Sequence, residues 1–293
     1  MIINPYRFAA AGGTGYILDN YTGAVGAYSL RELSSSYVDV DIITIRRSAG
    51  SPTTSSFTAT EIADGTMTAW VKESSGTASG YVTDWVDQTG NGNDIANAST
   101  AQQPAIILSG SLVLSGGEKA ISFDGGSAAN GDRLVTAATN SFFTGSNFSV
   151  FTVCERNTTN TDPLWGNDNA TTAEGRATFN IAPSAVAMAF NGSNTGTDLS
   201  TFPLTTQTAI TIIGTGMLTG ETHAVKSWVD GADEQSSAPT SLVTPAAGKF
   251  ILGDNRDDGS GWDGRIQECI VYASDETSNQ SAIDSNITTY YGI

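Results

Sequence analysis

Phe148-Ser149-Val150-Phe151-Thr152-Val153-Cys154 and Arg265-Ile266-Gln267-Glu268-Cys269-Ile270-Val271-Tyr272 are the stretches on which the fold class turns. Each is a short run rich in β-branched and aromatic side chains, alternating as a strand does when every second side chain faces one side. The same pattern recurs at Val38 to Arg46, Ala105 to Leu108, Ser111 to Leu114, Ala120 to Phe123, Ala185 to Phe190, Ala209 to Ile213, Val225 to Val229 and Lys249 to Leu252. Turn-forming clusters separate the runs, among them Gly90 to Asn93, Asp124 to Asp132, Asn191 to Thr197, Asp230 to Asp233 and Asp254 to Gly261. Many short strands broken by polar turns predict an all-β sandwich. Helical spacing predicts three short covers on it: Ala24 to Leu33, Asp64 to Val71, and Ser278 to Tyr291, where Ile283, Ile287 and Tyr290 fall at i, i+4 and i+7.

The 293 residues are 39% hydrophobic and 15% charged, with 32 Gly and 8 Pro, enough apolar material for a sizeable core and too much for a disordered chain. Thirteen basic against thirty acidic residues give a net charge of −17 and a pI near 4.1. Such a surface has no basic face to neutralise phosphates, so neither nucleic acid nor an anionic membrane is an expected partner. No apolar run approaches the ~18 residues of a membrane span, and Met1 to Ala10 lacks the pattern of a secretion signal, so assembly in the cytoplasm is expected. Cys154 and Cys269 lie in apolar runs and read as buried free thiols. A single histidine, His223, excludes a histidine zinc cluster and a serine-histidine relay.

No linker rich in Pro or charge interrupts the chain, which reads as one jelly-roll domain over 21–293 behind an N-terminal arm over 1–20. In the arm, Tyr6 and Phe8 precede the flexible Ala10 to Gly15 stretch and have little to bury against locally. They are expected to dock on a neighbouring subunit, and a homo-oligomer is expected with them.

Ala27-Tyr28-Ser29-Leu30-Arg31-Glu32-Leu33-Ser34-Ser35-Ser36-Tyr37, followed by Ile45-Arg46-Arg47-Ser48, resembles the opening of the catalytic domain of the fungal α-L-arabinofuranosidase B family. Asp84-Trp85-Val86-Asp87-Gln88-Thr89-Gly90-Asn91-Gly92-Asn93-Asp94 resembles a second segment of that family, with Val86 in place of a tyrosine. Ile121 to Gly126, Asp132 to Leu134, Trp228 to Gly231 and Trp262 to Ile266 are similar to strand signatures of concanavalin A-like and laminin G-like jelly rolls. The resemblance implies a concanavalin A-like jelly-roll β-sandwich with a few short helices. Chains with this opening are similar to virion proteins of tailed bacteriophages, which implies a virion location and contacts with other virion proteins through the arm.

A retaining glycosidase needs two carboxyl groups about 5 Å apart across the scissile bond. Gly253-Asp254-Asn255 matches the turn that holds the family's acid/base aspartate, which implies that role for Asp254. The strand that carries the family's nucleophilic glutamate corresponds to Gly175 to Ile181, which contains no carboxylate; Glu174 lies beside it on the turn side. The family's adjacent cysteine pair is also missing. A protein that is not an enzyme is therefore expected: a phage structural protein for decoration, tail, fibre or baseplate that binds host-surface glycans without cleaving them. A glycoside hydrolase using Asp254 and Glu174 is the alternative.

Sugar binding uses aromatic faces flanked by Asp and Asn. Trp165, Asp168, Asn169, Asp254, Asn255 and Trp262 are the expected glycan-binding residues, with core packing as the competing role for each tryptophan. No cofactor is expected. Asp254, Asp257, Asp258 and Asp263 offer hard oxygen ligands for a calcium ion, although Arg256 and Arg265 compete for the same charges and a solvated acidic turn is the plainer reading.

Overall fold

Alternation becomes hydrogen-bonded pairing in the computed structural model, which describes residues 15–51, 53–73, 75–126, 131–168, 177–182, 185–190, 193–197, 202–238, 245–254 and 261–293. A one-turn helix α1 (Ile17–Asn20) leads into β1 (Ala24–Ser29), β2 (Asp41–Arg47) and β3 (Thr54–Thr58). Helices α2 (Ala59–Ala63) and α3 (Thr66–Lys72) precede β4 (Gly80–Trp85), β5 (Ile95–Ala96), β6 (Ala105–Leu108) and β7 (Ser111–Leu112). The small pair β8 (Leu114–Ser115) and β9 (Glu118–Lys119) is followed by β10 (Ile121–Asp124), β11 (Leu134–Thr136), β12 (Phe148–Arg156) and β13 (Asp162–Asp168). Next come β14 (Ala177–Ala182), β15 (Ala185–Phe190), β16 (Ser193–Thr197), β17 (Thr208–Thr215), β18 (Ala224–Val229) and β19 (Ala232–Ser237). The chain closes with β20 (Lys249–Leu252), β21 (Asp263–Tyr272) and α4 (Gln280–Tyr291).

The ladders are antiparallel and fold into two facing layers. One layer runs β19-β18-β17-β12-β21, with β1 and β10 sharing the far edge of β21. The other runs β16-β15-β14-β13-β20-β11-β5-β4-β2-β3, and β6 joins the two by pairing with both β10 and β4. This is the all-β jelly-roll sandwich with few short helices that the sequence predicts. Between the layers Tyr28 stacks on Phe250 with ring centroids 5.9 Å apart. Phe148 meets Trp165 edge-on at 6.4 Å.

The decisive strands β12 and β21 are buried on both faces, because α4 and α1 cover the outer side. Phe148, Val150 and Cys154 point into the inter-layer core, while Phe151 and Val153 pack with Ile283, Ile287 and Tyr291 of α4. The predicted C-terminal helix forms, with Gly292 in the left-handed conformation ending it at φ 71°. Ala24 to Leu33 does not form the expected helix. Ala24–Ser29 is strand β1, because the open edge of β21 takes up its backbone groups and outweighs the weak local helical spacing. The helix predicted over Asp64 to Val71 forms as α3, Thr66–Lys72, and a separate short helix α2 precedes it, started by a Thr58–Glu61 capping box. Ile17 and Leu18, near the end of the 1–20 segment, are buried in the outer core cluster. Tyr6 and Phe8 lie outside the described residues.

Candidate functional site

The two segments that carry the family resemblance are bonded to each other, and they build a brace. The carboxylate of Asp87 accepts the backbone N–H groups of Ala27 at 3.0 Å, Thr89 at 3.1 Å and Asn93 at 3.1 Å. Gln88 accepts from the Leu33 N–H at 2.8 Å and donates to the carbonyls of Ser29 and Arg31. Both side chains are about 1% exposed, so their polar groups satisfy backbone that the loop would otherwise leave unpaired.

The carboxylates that could do chemistry gather at one end of the sandwich. Asp254 follows β20 directly and is fully buried, its Oδ2 accepting from Arg133 Nη1 at 3.1 Å. Gly253 makes this possible: its φ is +87°, and a Cβ there would stand 2.3 Å from the Phe123 ring. Its N–H donates to Leu164 O, and its carbonyl accepts from the Trp262 N–H, fixing Asp254 between the two layers. On the facing side, Asp124 and Asp132 bracket the turn between β10 and β11 reciprocally. The Asp124 N–H donates to Asp132 Oδ2 at 3.1 Å, and the Asp132 N–H to Asp124 Oδ1 at 3.2 Å. Burial, and secondarily the charge of Asp124, raise the Asp132 carboxyl to about 7. Asp263 is the ladder partner of Asp124 and accepts from Asn157 Nδ2 at 3.3 Å. Arg156 and Asp162 complete this end, both about 1% exposed.

Among the described glycan-binding candidates, Asp254 and Trp262 are neighbours through the Gly253 carbonyl, whereas Asp168 stands apart from them. In the β13–β20 ladder Asp168 pairs with Lys249 and Trp165 with Leu252, so Asp254 continues past the opposite end. Five residues of strand separate the levels of Asp168 and Asp254, about 17 Å. Trp165 is a core residue, 1% exposed and stacked between Phe143 and Phe179 at 5.0 Å on each side. Trp262 and Trp85 are fully buried, and Trp228 is nearly so. Trp85, Trp165 and Trp262 offer no face to a sugar, because the gap between the layers needs their volume, and Trp228 lies on the outer side as the ladder partner of Thr211. Asn169, Glu174, Asn255, Asp257 and Asp258 lie outside the described residues. Of the proposed calcium ligands, Asp254 is engaged by Arg133 and Asp263 by Asn157, and no metal-binding cluster occurs among the described residues. Cys154 and Cys269 are buried free thiols, and burial pushes Cys269 up to about 12. Asp132, Arg133 and Arg156 were not singled out as site residues. The carboxylates flanking the Asp124 to Asp132 turn were the available signal, but their pairing with the Asp254 segment is tertiary.

No protein-family model matches the chain, and no curated protein matches it. Solved structures do. A GH54 α-L-arabinofuranosidase soaked with a cyclic sulfate inhibitor is similar at a TM-score of 0.64 and 16% identity, covering 94% of this chain and 64% of that one. A glutamate-to-glutamine mutant of a GH54 α-L-arabinofuranosidase soaked with 4-nitrophenyl α-L-arabinofuranoside gives 0.63 and 16%, over the same shares. An arabinofuranosidase complexed with arabinofuranosyl-α-1,2-xylobiose gives 0.63 and 17%, again over 94% and 64%. The chain therefore has an arabinofuranosidase-like sandwich and spans about two thirds of the length of these enzymes.

These neighbours overturn the expectation of a protein that is not an enzyme. That expectation rested on the lack of a carboxylate in Gly175 to Ile181 and on the missing adjacent cysteine pair. Position along one strand is a poor guide, because carboxyl groups from β10, the segment before β11 and Asp254, two residues past β20, lie at one end of this fold.

Proposed function

We propose that the protein is a glycoside hydrolase acting on arabinofuranosyl units, with the Asp254 end of the sandwich as its reaction site. The observation that carries this reading is the pairing of two electrostatic environments within one short segment, Asp132-Arg133. Asp132 keeps its proton close to neutral pH, while Arg133 holds its charge against the carboxylate of Asp254. Glycosidases divide their work between a carboxyl that can give a proton and one that stays ionised. The resemblance gives Asp254 the acid/base role, the Arg133 pair favours its ionised form at rest, and Asp132, the residue before that arginine, is the group that holds a proton near neutral pH. The solved arabinofuranosidases of this fold hold an aryl arabinofuranoside and an arabinofuranosyl-xylobiose, which supports the same sugar class here.

The test is release of 4-nitrophenol from 4-nitrophenyl α-L-arabinofuranoside. Wild-type protein is expected to turn the substrate over, Asp254→Asn to lose about a hundredfold or more with an unchanged circular dichroism spectrum, and Glu174→Gln to report whether that residue acts as nucleophile. Wild-type turnover no faster than buffer, or full activity in Asp254→Asn, would sink the reading.

The setting is a separate proposal, supported by sequence resemblance: display on a tailed-phage particle through the arm bearing Tyr6 and Phe8. A truncation lacking residues 1–15 is then expected to fold but to be absent from purified particles.

A further inference from the structure

The guanidinium of Arg156 is in an unusual position for a cation. It is about 1% exposed, yet among the described residues only Nη2 has a partner, the Phe202 carbonyl at 3.0 Å, and Nε and Nη1 have none. Asp162 is the carboxylate whose field it feels, but the two form no ion pair, and Asp162 Oδ2 is taken by the Thr158 hydroxyl at 2.6 Å. A second orphan donor sits on the same inner face. Trp262 is fully buried, and its Nε1 has no acceptor. That nitrogen lies 2.7 Å from where a Cβ of Gly264 would stand, and Gly264 is the ladder partner of Arg156. Ladder partners on one face have their Cβ positions about 5 Å apart, so the indole N–H and the arginine stem share one small space.

A buried guanidinium without a contacting counter-charge is strongly unfavourable, and a native fold rarely leaves such donors unmet. We propose that Arg156 and Trp262 hold a small monovalent anion, a halide, at the inner end of β12 and β21. Nε and Nη1 lie on opposite edges of the guanidinium plane, so the ion meets the free N–H on the Trp262 side and accepts from Trp262 Nε1 as well. Water would supply an acceptor but not the missing charge. With Arg156 about 1% exposed and Trp262 fully buried, these donors are out of reach of a sugar in solvent, and a single-atom ion suits them. The site is thus independent of the proposed glycosidase reaction, and its effect is to pin the strand ends beside Asp254.

The full-length protein, dialysed free of halide into sodium gluconate, is titrated with chloride and with bromide at constant ionic strength while its melting temperature is followed. The melting temperature is expected to rise and saturate with either halide, as it must for a ligand bound only by the folded state. Trp262→Phe, which keeps the ring and removes one donor, is expected to raise the half-saturating concentration about tenfold. Arg156→Met is expected to abolish the response; if that variant fails to fold, Trp262→Phe still decides. Crystals grown with bromide are expected to show an anomalous peak between Arg156 and Trp262. Identical melting curves in chloride and gluconate, an unchanged response in Trp262→Phe, or a water with no anomalous signal at that point would each overturn the proposal.

Discussion

Replacing Arg31 with Met attacks a heavily bonded buried charge, Glu268. Glu268, in the middle of β21, is fully buried, and Arg31 grips it with Nε at 2.7 Å and Nη2 at 2.9 Å. Ser29 Oγ adds a bond at 2.8 Å and the Tyr291 hydroxyl one at 3.2 Å. Methionine fills the arginine stem but takes away the two strongest donors and the only cation paired with Glu268 among the described residues. Breaking a buried pair from one side costs about 3–5 kcal/mol, because the abandoned charge is left in a poorly polar interior. Loss of the Arg31 guanidinium from over the Tyr290 ring, 4.4 Å away, adds about 0.5–1 kcal/mol. At roughly 2–4 °C per kcal/mol for a chain of this size class, the melting temperature should fall by about 7–24 °C. Thermal and urea unfolding of Arg31→Met, Glu268→Gln and the double variant would measure it. The double variant should be less damaged than Arg31→Met alone, since the amide needs no counter-charge. A loss below about 1 kcal/mol in Arg31→Met, or strictly additive effects, would refute the idea that this pair is energetically buried.

Two further outcomes follow from the core and the candidate site. Trp165→Ala should cost about 3–5 kcal/mol in urea unfolding, as expected for emptying a ring-sized space between Phe143 and Phe179; an unchanged melting curve would return Trp165 to a surface role. Asp132 has a folded-state value of about 7 against an ordinary 3.8, so between those values the folded protein binds the extra proton. Its contribution to stability is therefore complete below 3.8 and is lost as pH rises through about 7, and Asp132→Asn should flatten that part of the stability profile. A slope equal in wild type and variant would show that another group titrates there.

Much of the architecture is legible locally, and the reason is periodicity. Phe148 to Cys154, Arg265 to Tyr272 and Lys249 to Leu252 alternate and form strands within a residue or two of their predicted limits. Ile283 and Ile287, four apart, both reach the outer core, although the third buried contact of α4 is Tyr291 and Tyr290 stands 37% exposed. Tyr290 and Tyr291 follow Ile287 by three and four residues, and both spacings suit one helical face, so sequence spacing alone does not choose between them. Asp87 and Gln88 were legible as part of a family-like segment, but not as the groups that bind the backbone of Ala27 and Leu33.

The sequence by itself determined the strand content, the turns, the acidic surface and the last helix, because each depends on residues within a few positions of one another. Tertiary structure alone decided that Ala24–Ser29 is a strand, since its partner Asp263–Tyr272 lies over two hundred residues along the chain. The burial of Trp165 and Trp262 was decided in the same way, because composition cannot say which of several aromatic rings fills the space between two layers. Asp124, Asp132, Arg133 and Asp254 meet only because β11 pairs with β20 and β10 with β21, bringing residues 121 positions apart to a 3.1 Å contact. Charge, proton affinity and reactivity at that end depend on distances between segments, and those distances exist only once the sheet has closed.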